Sequence, residues 1–411
     1  MRWAAGLRAL GHRDYRLFWA GQLVSLVGTW MQTVGQSWLV LELTNSPLKL
    51  GLIGALQYAP MLLFSFVAGA LADRVRKRRL ILGTQTALMC QAFALGALAW
   101  GGHVQYWHVA TLATLYGLAT TLDLPARQSF IADLVGKADV VSAIALNSTV
   151  FNGARVIGPA VAGLLVARYG VAVAFLLNGV SFVAVIIALL LVQTEGAPRP
   201  RDGTTMLEEI ADGARYASST PLISLVLGLI LSVSLFVINF NTLVPLIARD
   251  VLHEGAHGFG LLMASLGMGA VIGALALALI GPGRPAVSVV ITGALVVCGA
   301  TMALAAARHF WLAACTLLII GCSQIIFTAG CNTALQLTAP DRMRGRIMSL
   351  YVLVFVGSSP FGSLLVGFIA ETLGVPAACA IGGGCGLLLV LLLAFRWRRR
   401  AGRAQQRLAD T

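Results

Sequence analysis

Charge is scarce in this chain. Only 11% of its 411 residues are Asp, Glu, Lys or Arg, and just 16 are acidic. A soluble domain carries roughly 25% charged residues, so an ordinary soluble fold is excluded. Cysteine offers no metal framework. Cys90, Cys298, Cys315, Cys322, Cys331, Cys379 and Cys385 form no C-x-x-C pair, and they read as small apolar filler. No G-x-x-x-x-G-K-[ST] run is present, so a P-loop pump within this chain is disfavoured. H-E-x-x-H occurs at His253–His257, but Gly255 interrupts it and no third ligand follows. A zinc protease needs both His on one regular helix and a further ligand, so no metal, no cofactor and no enzymatic chemistry are expected. The Gly-rich runs at 267–273 and 382–386 lack a following basic residue and read as helix packing.

What is abundant is apolar surface. Hydrophobic residues make up 58%, and the mean hydropathy is +0.86. A bilayer is the solvent that fits, and it requires helices of about 20 apolar residues. Twelve spans are expected: 17–41, 48–72, 80–100, 106–126, 141–166, 171–192, 222–246, 259–280, 287–306, 310–334, 347–370 and 375–396. The 45 glycines suit close helix contact.

The cations then fall into a pattern. Even-numbered loops and both tails hold 24 of the 29 Lys and Arg, among them Arg74, Arg76, Lys77, Arg78 and Arg79. Odd-numbered loops hold Lys49, Arg168, Arg249 and Arg308, and Arg155 lies inside a span. By the positive-inside rule both termini are cytoplasmic. The formal net charge of +13 reflects topology and anionic lipid contact, with no nucleic-acid partner expected.

Topology does not account for Asp73 beside Gly69 in GALADRVRKRRLIL. An acid at the end of span 2 can accept from a neighbouring helix N-terminus or pair with an Arg, and Gly69 would let another backbone approach. These residues read as a gate. The bland alternative is a purely topogenic loop.

The chain also repeats itself. At a shift of 204 residues Leu146 meets Leu350, Phe151 meets Phe355, Gly158 meets Gly362 and Gly170 meets Gly374. Two parallel halves follow, with a site between repeats. The expected division is a six-helix bundle over 1–192, a cytoplasmic linker over 193–220, a second six-helix bundle over 221–396 and a basic tail over 397–411. Within the linker, Thr205 and Glu208 have capping-box spacing, and Met206, Leu207, Ile210 and Ala214 make the apolar face of a short amphipathic helix.

Three motifs carry a family resemblance. Gly69, Leu71, Asp73, Arg74 and the cations through Arg79 resemble the loop 2–3 signature of the major facilitator superfamily, with Arg76 where a Gly is usual. GARVIGPAVAG, with Gly153, Gly158, Pro159 and Gly163, resembles the span-5 signature of its antiporters. TLDLPARQSFIADLV, 121–135, is similar to the enterobactin-exporter-like branch. The resemblance covers nearly the whole chain, although 273–285 keeps only Gly273 and Leu275 of the second loop signature. It implies an all-α membrane protein of twelve helices in two pseudo-symmetric bundles. It also implies a proton-driven exporter of small drug-like or siderophore-like molecules, monomeric, in the bacterial cytoplasmic membrane. The alternative is an uncoupled facilitator or flippase of a lipid-like cargo.

By the same resemblance spans 1, 4, 7 and 10 line the cavity. Those spans supply Gln32, Gln36 and Trp38; Tyr116; Phe236, Asn239 and Asn241; and Gln324, Phe327, Thr328 and Asn332. An amide in a span can equally bond a neighbouring helix. Proton coupling needs a buried carboxylate. Asp123 is the candidate, or else a helix-end acid paired with Arg127. Arg155 is the one cation within a span, and it reads either as a lock with Glu42 or as a ligand for anionic cargo.

Overall fold

The computed structural model describes residues 5–198, 206–280 and 287–409, and among these there is no strand. A short 3-10 helix, Ala5–Gly11, precedes α1 (Arg13–Thr44), α2 (Pro47–Arg74) and α3 (Lys77–Trp100). Then come α4 (Tyr106–Tyr169), α5 (Val171–Leu191) and α6 (Met206–Ser219). The second half runs through α7 (Pro221–Phe236), α8 (Phe240–Leu246), α9 (Ala256–Ile280), α10 (Val287–Ala303) and α11 (Phe310–Thr338). It closes with α12 (Asp341–Gly357), α13 (Ser359–Leu373) and α14 (Val375–Ala409).

Among the described residues helices occupy all twelve expected spans, but four of them differ from the sequence expectation. Spans 4 and 5 are the two arms of α4. Helix continues through most of the expected loop at 127–140, and the arms meet at Gly136, whose φ of 68° turns the chain. Only glycine takes that conformation without strain. Span 7 is broken at Val237–Asn239 between α7 and α8. Span 11 is broken at Ser358 between α12 and α13. Pro245 sits within α8 and Pro360 in the first turn of α13. A proline ring clashes with the carbonyl four residues back and removes one donor; for Pro360 that accounts for the break at Ser358, whereas Pro245 lies beyond the first break, inside α8.

The chain divides into two compact units. The first is Met1–Asp202 together with His253–Gly267, so the opening half of α9 packs with it. The second is Gly203–Leu252 and Met268–Thr411. The first unit has a buried core at the α2–α3 loop end, built on Phe18, Phe130, Ile81 and Leu189. The Phe18 and Phe130 rings meet edge to face at 5.7 Å. In the second unit α6 is anchored by Asp212, which accepts from Arg346 Nη1 at 2.8 Å. Leu207 and Ile210 of its expected apolar face have side chains outside the described residues, as does Met206.

Candidate functional site: a polar cavity in the first unit

Asp123 is the centre of the site. It lies in the first arm of α4 with no solvent exposure at all. From α3, Thr84 Oγ1 donates to Asp123 Oδ1 at 2.8 Å and Gln85 Nε2 donates to the same oxygen at 2.9 Å. Arg127, one turn further along α4, forms an ion pair with Asp123 Oδ2. Arg127 Nη1 also donates to Gln22 Oε1 on α1 at 2.7 Å. Three helices therefore converge on one buried ion pair. Such burial requires a paired and hydrogen-bonded charge.

Arg127 and Gln85, both partners of this carboxylate, line a cavity of about 660 Å³. Gln22, Gln85, Arg127 and Asn152 all line it. Each presents a buried polar atom without a hydrogen-bond partner: Gln22 Nε2, Gln85 Oε1, Arg127 Nε and Asn152 Oδ1. Buried polar atoms in native proteins are nearly always satisfied, so two donors and two acceptors left open around one cavity describe a binding surface. Phe18, Phe151, Phe182 and Tyr116 supply its apolar walls. The arrangement can hold an amphiphile of a few hundred Å³.

The other residues of the sequence reading take different places. Tyr116 lines the cavity, whereas Gln32 ties helices together. Gln32 Nε2 donates to Gln91 Oε1 at 2.9 Å, and its carbonyl accepts from Asn178 Nδ2 at 2.6 Å. Gln36 Nε2 reaches Gln57 Oε1 at 3.2 Å. Trp38 stacks on Phe259 at 6.0 Å and bonds Glu42. Arg155 lies 5.9 Å over the Trp30 ring, within electrostatic reach of Tyr58.

Of the span-5 motif, Gly158 and Gly163 are sites of close approach. A Cβ on Gly158 would meet the Val27 carbonyl and Trp30, and one on Gly163 would lie 2.9 Å from Gly260 Cα. Pro159 is buried between them. A Cβ on Gly153 meets nothing within 4 Å.

In the second unit Asn239 occupies the break in span 7. Its amide donates to Leu235 O at 3.0 Å, and Ser363 Oγ donates to its carbonyl at 3.5 Å. Phe236 and Asn241 flank the break and are half-buried. Phe327 and Gln324 are buried, Thr328 Oγ1 donates to Gln324 O at 2.9 Å, and Asn332 Oδ1 accepts from Gln336 at 2.5 Å.

Around the basic loop a Cβ on Gly69 meets nothing within 4 Å, and Asp73 is half-buried without a hydrogen-bond or ion-pair partner among the described residues. Arg78 donates to the carbonyls of Leu189 at 2.7 Å and Leu190 at 2.9 Å, closing the C-terminus of α5 as a cation there should. Sequence reasoning passed over Lys77. It is 1% exposed and donates to Asp133 at 2.5 Å. Its N–H reaches Gly196 O at 3.2 Å, and that of Arg78 reaches Glu195 O at 3.2 Å. Asp14 holds the same segment by accepting from the N–H groups of Gln193 and Thr194 and from the Thr194 hydroxyl. Burial works to raise the Asp14 carboxyl, but these bonds outweigh it and hold it below its usual value.

The His253–His257 pair does not share a helix. His253 has a left-handed φ of 54°, and α9 begins at Ala256.

Residues 4–410 match a family model described as transmembrane secretion effector. The staphyloferrin A transporter of Staphylococcus aureus (strain NCTC 8325 / PS 47) is 24% identical over 389 residues, covering 92% of this chain and 95% of that one. The multidrug efflux pump Tap of Mycolicibacterium fortuitum is 26% identical over 371 residues, 86% and 88% of the two chains. The enterobactin exporter EntS of Shigella boydii serotype 18 (strain CDC 3083-94 / BS512) is 26% identical over 389 residues, 93% and 91%. Among solved structures, the nucleoside transporter NupG superposes with a TM-score of 0.75 at 10% identity, over 93% of this chain and 98% of that one. That last likeness concerns the fold.

Proposed function

Because the chain belongs to the transmembrane secretion effector family, a branch of the major facilitator superfamily, and is thus a multi-pass membrane transporter, we propose that it is a proton-coupled exporter of small amphiphilic molecules. The cargo is drug-like or siderophore-like, in keeping with the names of the relatives. The observation that carries the coupling is the Asp123–Arg127 pair at the cavity wall. With Asp123 ionised the pair is neutral, and the cavity accepts a neutral or cationic amphiphile. With Asp123 protonated the Arg127 charge stands alone beside the cargo. Two cations a few ångströms apart repel by several kcal/mol at an effective dielectric near 20. A proton therefore expels what the ionised pair admits, which is the competition that antiport requires.

The test uses inside-out vesicles and an amphiphilic cationic dye. A pH gradient accelerates dye movement in the wild type. Asp123→Asn retains expression and insertion but loses the acceleration. An unaltered response in that variant removes Asp123 from coupling, and a wild type indifferent to the gradient favours the uncoupled facilitator.

Topology is tested separately. With both termini cytoplasmic in a bacterial cytoplasmic membrane, a single cysteine placed at Arg79, in a background with the seven native cysteines replaced, reacts with an impermeant maleimide only in opened cells. One placed at Arg249 reacts in intact cells. The reverse pattern overturns the orientation.

A further inference from the structure

We propose that the first unit carries a binding site for an anionic phospholipid, its headgroup on Arg74, Arg76 and Arg79 and one acyl chain in a groove between α3 and α4. Two cavities adjoin at the start of α3. One, about 530 Å³, is lined by Arg74, Arg76, Arg79 and their neighbours Val75, Leu80 and Pro198. The other, about 610 Å³, begins at the same Arg79 and Leu80 and runs along α3 and α4. They share two residues and form one path from a cationic mouth into an apolar trough.

The trough follows from the sequence. On α3, Gly83, Ala87 and Ala94 line it. Their spacing of four and then seven residues keeps them on one helical face. Small side chains there leave depth. On α4, Leu115, Leu118 and Leu122 line the facing wall, and Leu115 is 49% exposed. From Arg79 to Ala94 the helix rises about 22 Å, against about 15 Å for the hydrocarbon of one leaflet. One acyl chain fits along that length. The loop end of α3 is the cytoplasmic end in the topology above, so the lipid comes from the inner leaflet.

Charge selects its headgroup. No acid lines the mouth. Arg76 shares its charge with Glu195 at 2.5 Å, while Arg74 and Arg79 have no ion-pair partner among the described residues. Guanidinium forks match phosphate oxygens. A zwitterionic headgroup offers the same phosphate but carries a cation into a pocket of three arginines. Free phosphate matches the mouth and makes no use of the trough.

The experiment reads lipid retained by the purified full chain, by native mass spectrometry, after exchange into equal phosphatidylglycerol and phosphatidylcholine. One phosphatidylglycerol is expected to stay bound in the wild type, and millimolar inorganic phosphate is not expected to displace it. Arg74→Gln with Arg79→Gln should weaken that lipid about 25-fold, at roughly fivefold per cation. Ala87→Phe should displace it by filling the trough. The Arg variants sit at exposed positions, so they decide the matter even if Ala87→Phe fails to fold. Unchanged retention in the Arg double variant, equal retention of both lipids by the wild type, or release by inorganic phosphate overturns the proposal. None of these readouts involves transport.

Discussion

Replacing Arg127 with leucine is expected to destabilise the protein more than any other single change in the first unit's polar cluster. Asp123 has no contact with solvent. Without Arg127 it keeps only Thr84 and Gln85, two neutral donors on one of its oxygens. Removing one partner of a buried pair costs roughly 3–5 kcal/mol, because a charge is left unpaired in a poor solvent. The reverse substitution is milder. In Asp123→Asn the guanidinium keeps Gln22 at 2.7 Å and faces the cavity, where its side chain is 22% exposed. The double variant Asp123→Asn with Arg127→Leu should recover most of the loss. Thermal unfolding of the four proteins in detergent gives the cycle. Equal melting temperatures for wild type and Arg127→Leu would show that the pair contributes nothing to stability.

The second large effect is expected at Gly158. Here the second arm of α4 crosses α1, and an added Cβ would lie 2.9 Å from the Val27 carbonyl oxygen. That neighbour is backbone, so α1 itself must move. Overpacking of this kind costs about 1–3 kcal/mol for small additions, and leucine adds three more carbons to the same spot. Gly158→Leu should therefore unfold the protein or abolish transport. Gly153→Leu, five residues earlier on the same arm, has nothing within 4 Å and should be close to wild type in melting temperature. Equal behaviour of the two variants would mean that α1 and α4 do not pack as described.

The contrast between Gly153 and Gly158 also shows where sequence reading stops. Both belong to one motif, and nothing in the letters separates them, since close approach depends on which helix face meets a neighbour. The spans were legible because a bilayer imposes length and apolarity on each one locally. The breaks in spans 7 and 11 were less so: Pro360 marks the second, but Pro245 lies inside α8 and does not mark the first. Asp123 stood out as an acid in an apolar stretch, and Arg127 followed as its i+4 neighbour. Gln22, Thr84 and Gln85 did not, for their roles depend on tertiary convergence of α1 and α3. Lys77 was hidden by company: among five cations in six residues, only folding shows which one is buried, and its partner Asp133 lies 56 positions away.

The amide chain through Gln32 has a consequence for biogenesis. Among the described residues ten stretches are long and apolar enough to cross a membrane, and α1 is not one of them. Its glutamines dilute it. Two of Gln32's bonds are to Gln91 and to Asn178, and Asn178 is 146 residues downstream. At about 5–20 residues per second, the ribosome takes on the order of 7–30 seconds to supply that last partner. Until then the Gln32 carbonyl oxygen lacks the Asn178 donor in or beside the bilayer. α1 thus gains this last amide partner only once α5 is made, and a nascent chain halted before α5 should leave α1 more open to proteolysis than in the complete protein.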